Sequence, residues 1–366
     1  MKVETKIEHF KQELKLESGQ VLKGFDLIYE SYGKRALNDD NIIVICTTLT
    51  GSHHAAGQFE NSEHGWWDGL IGDNKCVDTK KFFVICVSIL AQPYGSTCPL
   101  SDEPNKNSEY RLNFPVIEIS DVVNAQMLLF DRLKIKKVKA IIGGSLGGMQ
   151  ALYFACKYPN FSDYIISIAC SYATQPWVMA FNKVAMYAIK NDPEFNNGNY
   201  DKEKVLQNGL LGLKIGRIAG HIGFFSAERM RENFARKIPQ KELYELFGRY
   251  EVDNYLEHKI TKFAKAFDPL CYLYLIKMAN NFDLERYFGS LENAFKNVKS
   301  KMILLSFSCD VLFNSSEMKE IESLLSLLGK ECEYHEILSK HGHDAFLVEI
   351  DKIAKFISKA ISLKAW

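Results

Sequence analysis

The feature that most narrows what this chain can fold into is a set of five short, almost wholly apolar runs rich in β-branched residues. They are 42–46 (IIVIC), 82–87 (FFVICV), 138–142 (VKAII), 164–169 (YIISIA) and 302–307 (MILLSF). A strand with one wet face alternates apolar and polar residues, whereas a strand covered on both faces has no reason to alternate. Each run therefore reads as a strand buried in the middle of a mostly parallel sheet. Parallel neighbours need crossovers, and segments with helical periodicity supply them. Val122, Ala125, Leu129 and Leu133 share a stripe over 120–133. Ala151, Leu152, Ala155 and Cys156 do so over 148–158, before Pro159 stops the helix. Phe346, Leu347, Ile350, Ile353, Ala354, Ile357, Ala360 and Ile361 trace an amphipathic helix near the C-terminus. Strands alternating with helices imply an α/β fold.

One region breaks the rhythm. Between 174 and 299 the pattern predicts helices at 178–190, 202–213, 217–236, 240–247 and 269–280, and no buried strand. The expected organisation is a core domain formed by 1–173 and 300–366, with 174–299 inserted as an all-helical lid over the active-site end of the sheet. Composition excludes several partners. Lys and Arg number 45 and so do Asp and Glu, so the chain has no cationic field for nucleic acid or for an acidic membrane surface. The first residues, MKVETK, lead into no apolar run and do not read as a signal peptide. The nearest candidate for a membrane span, the uncharged stretch 164–182, carries Ser167, Ser171, Thr174, Gln175 and Pro176, too polar to lie in lipid. Nine cysteines, with no C-x-x-C pair and several inside apolar runs, read as reduced buried thiols in a cytoplasmic setting.

Chemistry concentrates at Gly143-Gly144-Ser145-Leu146-Gly147, a G-x-S-x-G pattern placed between a buried strand and a helix. That context is the nucleophile elbow of α/β hydrolases, a sharp turn that presents the serine at the positive end of a helix. A serine hydroxyl near neutral pH needs a base, and the base needs an orienting acid, in the chain order Ser, Asp, His. Asp310 lies just past the run 302–307, where a carboxylate would emerge at the sheet edge; its competing reading is a turn aspartate. His343, in Lys340-His341-Gly342-His343-Asp344, follows a strand expected at 331–338, and at this level His341 is an equal candidate. Two histidines are too few for a metal, and none is expected. The two backbone N–H groups of an oxyanion hole would come from Leu146 and from the loop 47–51, with Leu49 the expected donor. This constellation performs acyl transfer through an acyl-serine, and the acceptor does not follow from it.

Several segments resemble the homoserine O-acetyltransferase family of the α/β-hydrolase fold. They are 49–57 (LTGSHHAAG), 66–72 (WWDGLIG), 94–97 (YGST), 143–152 (GGSLGGMQAL) and 342–347 (GHDAFL). The matches run in order from near Gly19 to Phe346. The resemblance implies acetyl transfer from acetyl-CoA to L-homoserine for methionine biosynthesis, with no other cofactor, and a homodimer formed through the helical insertion. It selects His343 over His341 as the base. It places Arg217 (in GRIAGHI) on the substrate carboxylate and Asp344 on its amine, where Asp344 could equally cap a helix. Gly223-Phe224 stands where the family commonly has Thr-Tyr, so a hydroxyl thought to help hold the substrate is missing here. A Gly-Gly-Ser elbow, rather than Gly-Pro-Ser, is similar to the acetyl users. Serine O-acetyltransferase, homoserine O-succinyltransferase and serine esterase or thioesterase are the competing activities on this fold.

Overall fold

A computed structural model describes residues 1–58 and 64–362. Its sheet has eight strands: β1 (Val3–Lys15), β2 (Val21–Tyr32), β3 (Ile42–Cys46), β4 (Phe83–Val87), β5 (Val138–Gly144), β6 (Ser162–Ile168), β7 (Lys301–Phe307) and β8 (Cys332–Ile337). Their spatial order is β1-β2-β4-β3-β5-β6-β7-β8. β1 pairs antiparallel with β2, and β2 with β4, while all other neighbours are parallel. The five apolar runs thus become β3 to β7, the centre of the sheet.

Both faces of that centre are covered. Val44, Ile141, Ile165 and Leu304 point into a core completed by Val122 and Leu129 of α1 (Ile119–Arg132) and Leu152 of α2 (Leu146–Lys157). Ile45, Ile142, Ile166 and Leu305 point the other way, against Trp67, Phe346, Ile353 and Ile357. Each such side chain gains about 1.5–3 kcal/mol from full burial, and that gain is why the runs are almost wholly apolar.

β1 and β2 were not foreseen. β1 is wet on most of its length, with only Phe10 and Leu14 fully buried, so its sequence is dominated by charge. Its register also slips between Phe10 and Glu13, opposite Gly24, which blurs the alternation of two.

Between β6 and β7 the described chain is helical: α3 (Pro176–Lys190), α4 (Lys202–Asn208), α5 (Leu211–Phe224), α6 (Ala227–Phe234), α7 (Glu251–Ala266), α8 (Pro269–Asn281), α9 (Leu284–Phe288) and α10 (Leu291–Phe295). The boundaries depart from the periodicity at identifiable points. The helix expected at 202–213 ends at Gly209, whose φ of +70° cannot continue it. The one expected at 217–236 is cut at Ser226, whose hydroxyl caps a new helix by accepting the Arg229 N–H. Only the 3-10 turn Gln240–Glu242 forms where 240–247 was expected to be a helix. α11 (Ser315–Leu327) joins β7 to β8. The expected C-terminal helix is two, α12 (Ala345–Val348) and α13 (Ile350–Ile361). The Phe346 carbonyl, which a continuous helix would commit to the Ile350 N–H, accepts instead from Trp67 Nε1 at 3.0 Å. All nine cysteines are free thiols, and no helix among the described residues is long and apolar enough to cross a membrane.

Candidate active site

The strand-to-helix turn after β5 puts Ser145 at φ 57°, ψ −124°, a conformation that L-residues rarely hold. Its N–H is anchored on the Ile168 carbonyl at 2.9 Å. The flanking glycines are a steric requirement. A Cβ on Gly143 would lie 2.1 Å from the Gly147 carbonyl oxygen, and one on Gly147 would lie 2.5 Å from that of Cys46. Strand and helix can approach this closely only without side chains, and the approach holds the serine clear of the sheet.

Ser145 Oγ lies 2.8 Å from His343 Nε2, and His343 Nδ1 lies 2.8 Å from Asp310 Oδ2. The carboxylate can only accept, so the ring proton sits on Nδ1 and Nε2 is left to accept from the serine hydroxyl. Asp310 follows β7, and its other oxygen takes the N–H groups of Leu312 (2.9 Å) and Phe313 (3.0 Å). It is therefore a turn aspartate and the histidine's partner at once. His341 points away, its Nε2 4.0 Å from Glu349. His343 is buried among Phe313, Phe346 and Phe224, at ring-centroid distances of 5.2, 5.6 and 6.1 Å. Burial by itself lowers its pKa, but the charge and hydrogen bond of Asp310, helped by Asp344, outweigh it and leave the pKa raised.

The N–H groups of Leu49 and Leu146 are not committed to any acceptor among the described residues. Leu146 opens α2, where the first N–H groups have no intrahelical partner. Leu49 lies in the loop after β3, and both residues line the same cavity as Ser145 and His343.

That cavity, of about 180 Å³, is closed by helices of the 176–295 segment. α3 contributes Val178, Phe181 and Asn182, and α8 contributes Tyr272 and Ala279, none of which periodicity could single out. α5 contributes Arg217, Gly220 and Phe224, spaced three and four apart and so on one helix face. The Arg217 guanidinium lies over the rings of Phe263 (4.2 Å) and Phe224 (5.0 Å). No carboxylate pairs with it among the described residues, and its Nε is buried without a partner. Asp344 lines the same cavity, and its side chain makes no capping bond to α12. Burial raises its pKa, against the opposing charges of His343 and Arg217. A free guanidinium and a free carboxylate thus face one small cavity beside the serine. The Ser226 hydroxyl donates to the Lys340 carbonyl, tying the start of α6 to the turn that carries His343. Among the described residues no group of three or more His, Cys, Asp or Glu side chains could hold a metal ion.

The family model for the alpha/beta hydrolase fold matches residues 41–259. Sheet order, elbow and the serine–histidine–aspartate chain of hydrogen bonds define an enzyme of the α/β-hydrolase fold. Homoserine O-acetyltransferase of Sulfurimonas autotrophica is 49% identical over 365 residues, 99% of each chain. The crystal structure of homoserine O-acetyltransferase from Bacillus anthracis superposes with a TM-score of 0.92 at 28% identity, over 100% of this chain and 99% of that one. A solved esterase superposes with a TM-score of 0.89 at 26% identity, over 99% and 100%. The chain belongs to the homoserine O-acetyltransferase family.

Proposed function

We propose that this chain transfers acetyl from acetyl-CoA to the side-chain hydroxyl of L-homoserine by way of an acetyl ester on Ser145. The observation that carries this reading is the unpaired Arg217 and Asp344 in the cavity of Ser145. An α-amino acid brings a carboxylate and an ammonium group, the two partners those side chains lack. In the first half-reaction Ser145 Oγ gives its proton to His343 Nε2 and attacks the thioester carbonyl. The C–S bond breaks and the CoA thiolate takes the proton from His343. In the second, the homoserine hydroxyl gives its proton to Nε2 and attacks the ester. The bond to Oγ breaks, Ser145 is reprotonated, and O-acetyl-L-homoserine leaves. Asp310 stabilises the imidazolium in both halves, and the N–H groups of Leu49 and Leu146 receive the oxyanion.

The cavity lining also bears on the acyl donor. Arg217 is its only lysine or arginine among the described residues. With Arg217 on the acceptor's carboxylate, no guanidinium or ammonium remains for the second carboxylate of a succinyl group, which favours acetyl. Phe224 offers the guanidinium a ring face in place of a hydroxyl. The similarity to a solved esterase keeps hydrolysis as the second reading, and the charged pair in the cavity favours transfer. The helices of 174–299 act in this scheme as a lid that keeps water from the ester. Free thiols and an uncharged balance fit a cytoplasmic enzyme. A homodimer is supported by an apolar stripe on solvent-facing positions of two packed helices, Trp177, Val184 and Tyr187 on α3 with Leu211, Ile215 and Ile222 on α5. The deciding assay is CoA release from acetyl-CoA and from succinyl-CoA, with water, serine or homoserine as acceptor. Sustained release should need acetyl-CoA and homoserine together; sustained release with water alone would make the chain a thioesterase.

A further inference from the structure

Of the two oxyanion donors, Leu146 is held by a helix, whereas Leu49 lies in the irregular stretch after β3 where no ladder or helix sets the direction of its N–H. From Thr47 to Gly51 every carbonyl is nonetheless held by a side chain. Gln150 Nε2 donates to Thr47 O at 2.9 Å, and the Tyr94 hydroxyl donates to Thr50 O at 2.9 Å. The other three belong to one residue. Gln92 Nε2 lies 3.0 Å from Thr48 O, 3.4 Å from Leu49 O and 2.8 Å from Gly51 O. Gln92 is fully buried, and its Oε1 accepts the Ile89 N–H at 3.0 Å, which fixes the amide orientation and leaves Nε2 to the carbonyls. Ala91, just before it, sits at φ +74°, a backbone position unfavourable for any residue but glycine.

We infer that Gln92 is a positioning residue that aims the oxyanion-hole N–H of Leu49. The physical link is the planarity of one peptide. Thr48 C=O and Leu49 N–H belong to the same rigid trans unit and point in opposite directions, so gripping the carbonyl from behind turns the N–H toward the cavity. A donor on the carbonyl also polarises the peptide and strengthens the N–H on its far side. Gln92 thus acts on the reaction through Leu49 without touching a substrate, and the inference rests on the acetyl-serine reading above.

The test is infrared difference spectroscopy of the enzyme acylated with carbonyl-labelled acetyl-CoA, in wild type and in Gln92→Met, which keeps the side-chain volume and removes the donors. In wild type the acetyl ester should absorb at one lowered frequency, the mark of a carbonyl held by two N–H groups. In Gln92→Met the band should move up or split, with kcat reduced about 10- to 100-fold, less than the loss of a whole oxyanion donor, and KM for homoserine changed less than about threefold. Gln92→Glu serves as the second variant and covers a failure of the first to fold. Its ratio of kcat to wild type should rise as pH falls, because only a protonated carboxyl can donate to the Thr48 carbonyl. An unmoved band with undiminished kcat in folded Gln92→Met, or a Gln92→Glu ratio flat with pH, overturns the inference. Absence of any ester band in wild type would overturn the acetyl-serine reading itself.

Discussion

His343 stands between opposing influences: burial favours its neutral ring, while Asp310 at 2.8 Å, with Asp344 beyond it, favours the charged one and prevails. Nε2 must be bare to take the serine proton. The rate of acylation should therefore rise with pH along a limb lying above the ordinary histidine value. Asp310→Asn removes the larger opposing charge and leaves only Asp344 against burial, so the limb should move to lower pH as kcat falls roughly ten-thousand-fold. A pH–rate profile of both proteins checks this, and a limb that stays put would disconnect Asp310 from the base. Arg217 is tested by separating the half-reactions. Arg217→Ala should cut kcat/KM for homoserine by roughly two to four orders of magnitude, through a lost charge-assisted contact and a misaimed hydroxyl. Acylation by acetyl-CoA alone should stay near normal, and hydrolysis should gain on transfer. Stopped-flow acylation beside steady-state assays resolves the two, and lost acylation with intact homoserine affinity would put Arg217 on the donor side.

At the scale of elements, what could be read from sequence follows burial. β3 to β7 were legible because both faces are dry, and the elbow because a G-x-S-x-G between a strand and a helix has few other uses. β1 and β2 were not, since a mostly wet β1 and a slipped register erase the pattern. α7 escaped because only Ile260 and Ala264 of its sixteen residues are buried, and α9 and α10 are too short to show a period. Ser145 sits in a local context that betrays it, Asp310 in one shared with a turn aspartate, and His343 is told from His341 only by the family motif, whereas Gln92 has no such signal. A glutamine in a loop ordinarily faces water, and its importance here comes from burial against three carbonyls that only the fold brings together. The elbow makes its own prediction. Gly147→Ala pushes a methyl group to 2.5 Å from the Cys46 carbonyl, so β3 and α2 must part. Chemical denaturation should show a loss of at least about 1–3 kcal/mol, with activity falling further than stability because Leu146 and the loop after β3 shift together. A variant of wild-type stability and activity would mean that this close approach is not required.

For the whole molecule, the sheet supplies the serine, histidine and aspartate, and the helices between β6 and β7 close the cavity over them. The same helices carry the exposed apolar stripe on α3 and α5, whose burial in a second copy would also fix α5, the helix that bears Arg217. Ile215→Lys places a charge in that stripe without touching the cavity. It should shift sedimentation from dimer to monomer and weaken homoserine affinity, whereas a wild-type protein that sediments as a monomer would remove the dimer from the account. The most direct test of the central claim is a pulse and chase followed by intact-protein and peptide mass spectrometry. A brief pulse of acetyl-CoA without acceptor should leave one acetyl group, on Ser145, with one equivalent of CoA released. Adding homoserine should then discharge it into O-acetyl-L-homoserine at least as fast as kcat, and Ser145→Ala should show neither step. Acetyl transfer that proceeds in Ser145→Ala, or a wild-type acetyl-enzyme that homoserine discharges more slowly than turnover, would contradict the account.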